Sequence, residues 1–184
     1  MNLHDWFQKG ITPDPYIESM EQNQENLIKI YDQFTVPEED MPFFNKLKAK
    51  QLRSIVITED WCGDAMLNVP IFLRIAEAAG IATRILKRDE NLELMDQYLT
   101  NGKSRSIPKI IVIEENGREL FNWGPRAPEL QAFIDNSIAS LPPKDADDFK
   151  EKQQEMLKFV TKAYRDNKEF HSFVYQDLKK AFAK

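Results

Sequence analysis

Cysteine is almost absent: Cys62 is the only one in 184 residues. A lone thiol excludes an intramolecular disulfide framework and makes a reducing cytoplasm the expected compartment. Histidine is nearly as scarce. His4 and His171 lie far apart and neither has a cysteine at ligand spacing, so no zinc site, other metal or cofactor is expected. No apolar run approaches the ~20 residues that a membrane span requires. The opening MNLHDWFQKG lacks a basic start followed by an apolar core, so no secretory signal is expected either. Basic charge is in deficit, with 25 Lys+Arg against 30 Asp+Glu, and the two signs are interleaved along most of the chain. That pattern reads as a solvated surface and argues against nucleic acid as the main partner. Internal repeats and low-complexity segments are missing, and nothing constrains the oligomeric state.

What is present is enough apolar residue, 42% of the chain, to bury a core in one domain. Residues 1–50 read as wholly helical. Pro13-Asp14-Pro15 opens a segment running to Phe34 with Ile17, Met20, Leu27, Ile30, Tyr31 and Phe34 at helical spacings, and a second helix carries Phe43, Phe44, Leu47 and Leu52. The period then changes. Arg53–Thr58 reads as a buried strand, Ala65–Ala79 as a helix stopped by Gly80, Ile81–Leu86 as a strand and Leu92–Leu99 as a helix. Lys109–Glu114 and Glu119–Trp123 flank Asn116-Gly117, a strong hairpin signal. Pro128–Ile138 is a further helix, and past Leu141-Pro142-Pro143 the chain reads as one or two polar helices. The expected organisation is a helical extension over 1–50, an α/β core over 51–141 and a second helical extension over 142–184, all within a single compact domain. The core should hold a mixed sheet with helices on both faces.

The lone cysteine lies in Thr58-Glu59-Asp60-Trp61-Cys62-Gly63-Asp64-Ala65-Met66, at the turn from the first strand into the following helix. With the element order, this stretch resembles the thioredoxin family, whose Trp-Cys-Gly-Pro-Cys motif ends a central strand and opens a helix. Trp61-Cys62-Gly63-Asp64-Ala65 stands at that place. Pro70 falls where the family has a helix-kinking proline, Ile107-Pro108 matches the pair whose cis bond faces the thiol, and Gly124 matches a glycine before the last helix. The likeness covers about residues 52–140, and it extends to a group of bacterial thioredoxin-like proteins with WCGD motifs and added helices. It implies a thioredoxin-like fold with Cys62 as the reactive residue and Trp61, Gly63, Asp64, Ala65, Ile107 and Pro108 lining the site.

A redox cysteine must become a thiolate, and a helix N-terminus favours negative charge. Gly63 is expected to let the backbone turn closely and Trp61 to wall the site or pack the core. Lys109 and Arg105 are candidate sources of positive charge. Glu59, Asp60 and Asp64 oppose ionisation, although Asp64 also suits a helix cap or a first-turn acid. Ala65 replaces the family's resolving cysteine, so a mixed disulfide at Cys62 would need an outside thiol. Val56 replaces the buried aspartate that the family places six residues before the first cysteine. That double loss favours a native alanine over a trapping substitution, and it disfavours dithiol reductase chemistry. Two readings follow. One is a monothiol thioredoxin-like protein exchanging with a low-molecular-weight thiol or a thiol-bearing protein; the other is a redox-inactive binding or adaptor module on the same fold. Thiol peroxidase chemistry is weaker, because no threonine-rich approach precedes the cysteine.

Overall fold

Strand β1, Arg53–Thr58, is buried at five of its six positions, so its run of Ile55, Val56 and Ile57 faces apolar layers on both sides rather than water on one. The computed structural model describes residues 2–184. In it β1 pairs in parallel with β2, Ala82–Lys87, and antiparallel with β3, Lys109–Ile113. β4, Glu119–Trp123, closes the order β2-β1-β3-β4 as an antiparallel neighbour of β3, with an irregularity between Val112 and Ile113. The sheet is mixed and helices cover both faces.

Alternation along β1 sorts its side chains into two cores. Ile55 and Ile57 join Leu86, Ile111 and Ile113 beneath Leu3 and Phe7 of α1 (Leu3–Lys9) and Leu94 and Met95 of α6 (Leu92–Met95). Val56 faces the larger core, built around α5, Gly63–Ala79. That helix is apolar nearly all round, which is how a helix enclosed by other elements reads. It packs beneath α3 (Gln24–Gln33), α4 (Met41–Lys48) and the C-terminal pair α8 (Phe149–Asp166) and α9 (Lys168–Phe182). α7, Pro128–Ala139, contributes Leu130 to the same core. Among the described residues no helix is long and apolar enough to cross a membrane.

The N-terminal segment departs from the sequence expectation in two places. The helical pattern from Pro13 to Phe34 is broken into α2, Pro13–Glu18, and α3, with Asn23 in the left-handed region at φ 58°. A distant residue pins the break: the Asp60 carboxylate accepts from Glu21 N–H at 2.9 Å and Gln22 N–H at 3.2 Å. Met20 stays buried from within the turn, so the apolar spacing runs across the break. Residues 1–50 are also not wholly helical. Ile11 makes an antiparallel bridge to Ile85 at the sheet edge, with N–H···O distances of 3.1 and 2.7 Å. Gly10 permits the approach, since a Cβ there would lie 2.7 Å from Arg84 Cβ. The expected Leu92–Leu99 helix is α6 followed by a 3-10 turn over Asp96–Tyr98.

Candidate functional site

The end of β1 and the start of α5 fix the cysteine. Cys62 is the N-cap of α5, with φ −85° and ψ 119°, and its sulfur accepts the Ala65 N–H at 3.5 Å. On the other side its S–H donates to the Ile107 carbonyl, also at 3.5 Å. The Ile107–Pro108 bond is cis, immediately before β3. Cys62 is partly buried and packs against both cores at the end of the sheet.

The surroundings of the thiol oppose its ionisation. Burial, and next the charge of Asp64, push its pKa up from 9.0 to about 11, against the pull of the Ala65 and Asp64 N–H groups and of Arg126. The helix terminus acts in the expected direction and is outweighed.

Of the three carboxylates expected near the sulfur, two have structural partners elsewhere. Glu59 is buried and accepts the Asp89 N–H at 2.9 Å, while Asp60 holds the α2–α3 turn. Asp64 is the carboxylate whose charge raises the pKa of the thiol. It is not the cap, a place Cys62 takes, but the first-turn acid of α5. Its carboxylate is clamped: Arg126 donates from Nε at 2.8 Å and reaches it from Nη2 at 2.7 Å, and the Tyr164 hydroxyl donates at 2.9 Å.

The other expected residues separate clearly. Trp61 is 43% exposed with the Arg88 guanidinium 4.8 Å from its ring, so it forms an outer wall and not core. Gly63 is not required by the backbone: a Cβ there meets nothing within 4 Å. Ala65 is buried in the larger core, and Val56 is fully buried among apolar neighbours. Arg105 is committed to a two-point ion pair with Asp96 at 2.6 and 2.9 Å. Lys109 is buried, its ammonium donates to the Gly124 carbonyl at 2.8 Å, and burial lowers its pKa.

Three features escaped the sequence reading. Gly124–Pro125 is a second cis bond, set against the first: a Cβ on Gly124, whose φ is 121°, would lie 2.1 Å from the Pro108 oxygen. Asn68, one turn along α5, donates to both the Asp64 and the Pro125 carbonyls, at 2.8 and 2.9 Å. Arg126 and Tyr164 reach Asp64 from positions 62 and 100 residues away, beyond any local spacing signal.

The family model described as Thioredoxin matches residues 10–141. A crystal structure of a protein of unknown function from Pseudomonas aeruginosa is similar at 15% identity and a TM-score of 0.65, covering 89% of this chain and 99% of its own. An HIV epitope scaffold is similar at 14% identity and a TM-score of 0.60, covering 95% of this chain and 98% of its own. Both likenesses concern the fold alone. No curated protein matches.

Proposed function

The chain belongs to the thioredoxin family, and on that premise we propose that Cys62 carries out monothiol thiol-disulfide exchange. The Cys62 thiolate attacks one sulfur of an external disulfide. A Cys62–S–S–R bond forms, the other half leaves as a thiolate and takes up a proton. A second external thiolate then attacks the mixed disulfide, releasing Cys62 and forming a new external disulfide. No net electrons come from the protein, which is the bookkeeping that a chain with Ala65 at the resolving position requires. Substrates are small thiols of the kind a reducing cytoplasm holds, or thiol-bearing proteins. One observation carries this reading: the sulfur of a partly buried cysteine at the N-terminus of α5, 3.5 Å from both the Ala65 nitrogen and the Ile107 carbonyl oxygen. The test is incubation of reduced protein with 2-hydroxyethyl disulfide at pH 8.5, followed by intact mass. The expected product is a single adduct that is lost on adding excess small thiol and never formed by Cys62→Ser. Absence of the adduct after hours sinks the reading.

The raised thiol supports a second reading, a thioredoxin-fold binding module whose cysteine stays protonated. Here Cys62→Ser leaves partner retention from a cell extract unchanged. Exchange predicts that retention falls with that variant and with added reductant.

A further inference from the structure

The Asp64 clamp is built from three parts of the chain. Asp64 lies in the first turn of α5, Arg126 in the β4–α7 loop after the second cis-prolyl bond, and Tyr164 on α8. Every contact is short and directed. Arg126 presents two nitrogens to the two carboxylate oxygens, and the Tyr164 hydroxyl shares Oδ1 with Arg126 Nε. The Asp64 and Arg126 side chains are only 14% and 23% exposed, so water screens the arrangement weakly. Arg126 is held in turn by Gln131 Oε1 at 2.9 Å, and Gln131 donates to Asp135. A buried pair of this kind is a poor stabiliser in itself, since desolvating two charges offsets much of their attraction. What it does well is fix one carboxylate in one place in the first turn of α5, two residues from the only thiol.

We propose that Arg126 and Tyr164 are positioning residues that govern the reactivity of Cys62 through Asp64, making the C-terminal hairpin part of the thiol site. Arg126 neutralises the carboxylate whose charge opposes ionisation of the thiol. Tyr164 donates to the same carboxylate and adds no charge of its own. The other groups facing the Cys62 region are Tyr16 on α2, which is neutral at physiological pH, and Glu59 and Asp60, whose carboxylates are hydrogen-bonded to loop N–H groups. Lys109 on β3 is turned to the Gly124 carbonyl. Of the charged groups, Asp64 and Arg126 are the two whose charges act on the thiol. Removing the Asp64 charge favours the thiolate, and removing Arg126 exposes that charge and disfavours it. The inference rests on Cys62 being the reacting atom, not on any particular disulfide substrate.

The test is the pH profile of Cys62 alkylation by iodoacetamide, a neutral reagent that leaves the exchange question aside. Asp64→Asn is expected to react about threefold to tenfold faster at pH 8, and Arg126→Gln slower by a similar factor. Arg126→Lys, which keeps the charge without the planar fork, falls between wild type and Arg126→Gln. Tyr164→Phe slows alkylation about twofold in the native background and has no effect in the Asp64→Asn background, because it acts only through that carboxylate. Far-UV circular dichroism and melting temperature identify any variant that has lost its fold, and Tyr164→Phe, a single-oxygen deletion, is the variant least exposed to that loss. An Asp64→Asn profile that superimposes on wild type overturns the proposal. So does a Tyr164→Phe effect of equal size in both backgrounds. Failure of Cys62 to form disulfide adducts while these alkylation shifts hold would sink the exchange reading and leave the clamp standing.

Discussion

Raising the pH is the perturbation that most directly interrogates the Cys62 environment. With its pKa pushed from 9.0 to about 11, Cys62 holds about 1% of the thiolate that an ordinary cysteine has at pH 7. Each thiolate is the better nucleophile for being more basic. A Brønsted slope of about 0.4–0.5 returns roughly sixfold to tenfold, leaving attack at neutral pH about ten to fifteen times slower than by a free thiol. The rate should climb close to tenfold per pH unit through pH 9.5 without levelling. The upper limit comes from linkage. The folded pKa lies above the unfolded one, so the protonated thiol adds stability in full below pH 9.0, and that stability is lost as pH rises towards 11. The loss is at most about 2–3 kcal/mol, which makes pH 7–9.5 the sound working window. The assay is a stopped time course with iodoacetamide at half-unit steps, read by intact mass against a cysteine-containing peptide. A plateau below pH 9, or a rate at pH 7 equal to that of the peptide, would refute the balance of burial and Asp64 charge over the helix terminus.

Four further outcomes follow from the same contacts. Ala65→Cys places a second thiol one helical turn from Cys62; mild oxidation should give a monomer 2 Da lighter, and failure to lose the two hydrogens would count against the geometry at the start of α5. Gly124→Ala drives a Cβ into the Pro108 oxygen at 2.1 Å and should cost more than about 3 kcal/mol in a urea melt. Asp60→Ala removes the acceptor of two N–H groups in the α2–α3 turn and should cost about 1–2 kcal/mol, seen as faster amide exchange at Glu21 and Gln22. His171 is buried with Nε2 on the Tyr164 carbonyl at 2.8 Å, and burial lowers its pKa. The unfolded chain takes the proton first, so stability present above pH 6.5 should fall as pH drops below it, and His171→Gln should flatten that slope.

Much of the architecture was legible because the signals were local. The β-branched run at Ile55–Ile57, Gly80 after an apolar helix and Asn116-Gly117 between two strands each fix an element from its own residues. The element order and WCGDA then pointed to the family. The thiol's surroundings were less legible, for a physical reason. Sequence proximity placed Glu59 and Asp60 beside the sulfur, yet backbone N–H groups from Asp89 and from Glu21 and Gln22 claim both carboxylates. Arg105 and Lys109 carried the right charge in the right region and are used up by Asp96 and the Gly124 carbonyl. The cation that does reach the site, Arg126, carried no local mark at all.

That exchange of partners bears on how a one-cysteine site works. In a two-cysteine thioredoxin the resolving thiol sits where Ala65 is, and a buried aspartate below it assists. Here that polar column is replaced by Ala65 and Val56, both closed in apolar packing. The carboxylate whose charge acts on the thiol lies instead on the side of α5 covered by the β4–α7 loop and α8, where Asp64 meets Arg126 and Tyr164. If the clamp governs the thiol as proposed, displacing α8, which carries Tyr164, changes the field at Cys62 from a distance, and alkylation of Cys62 would report that shift.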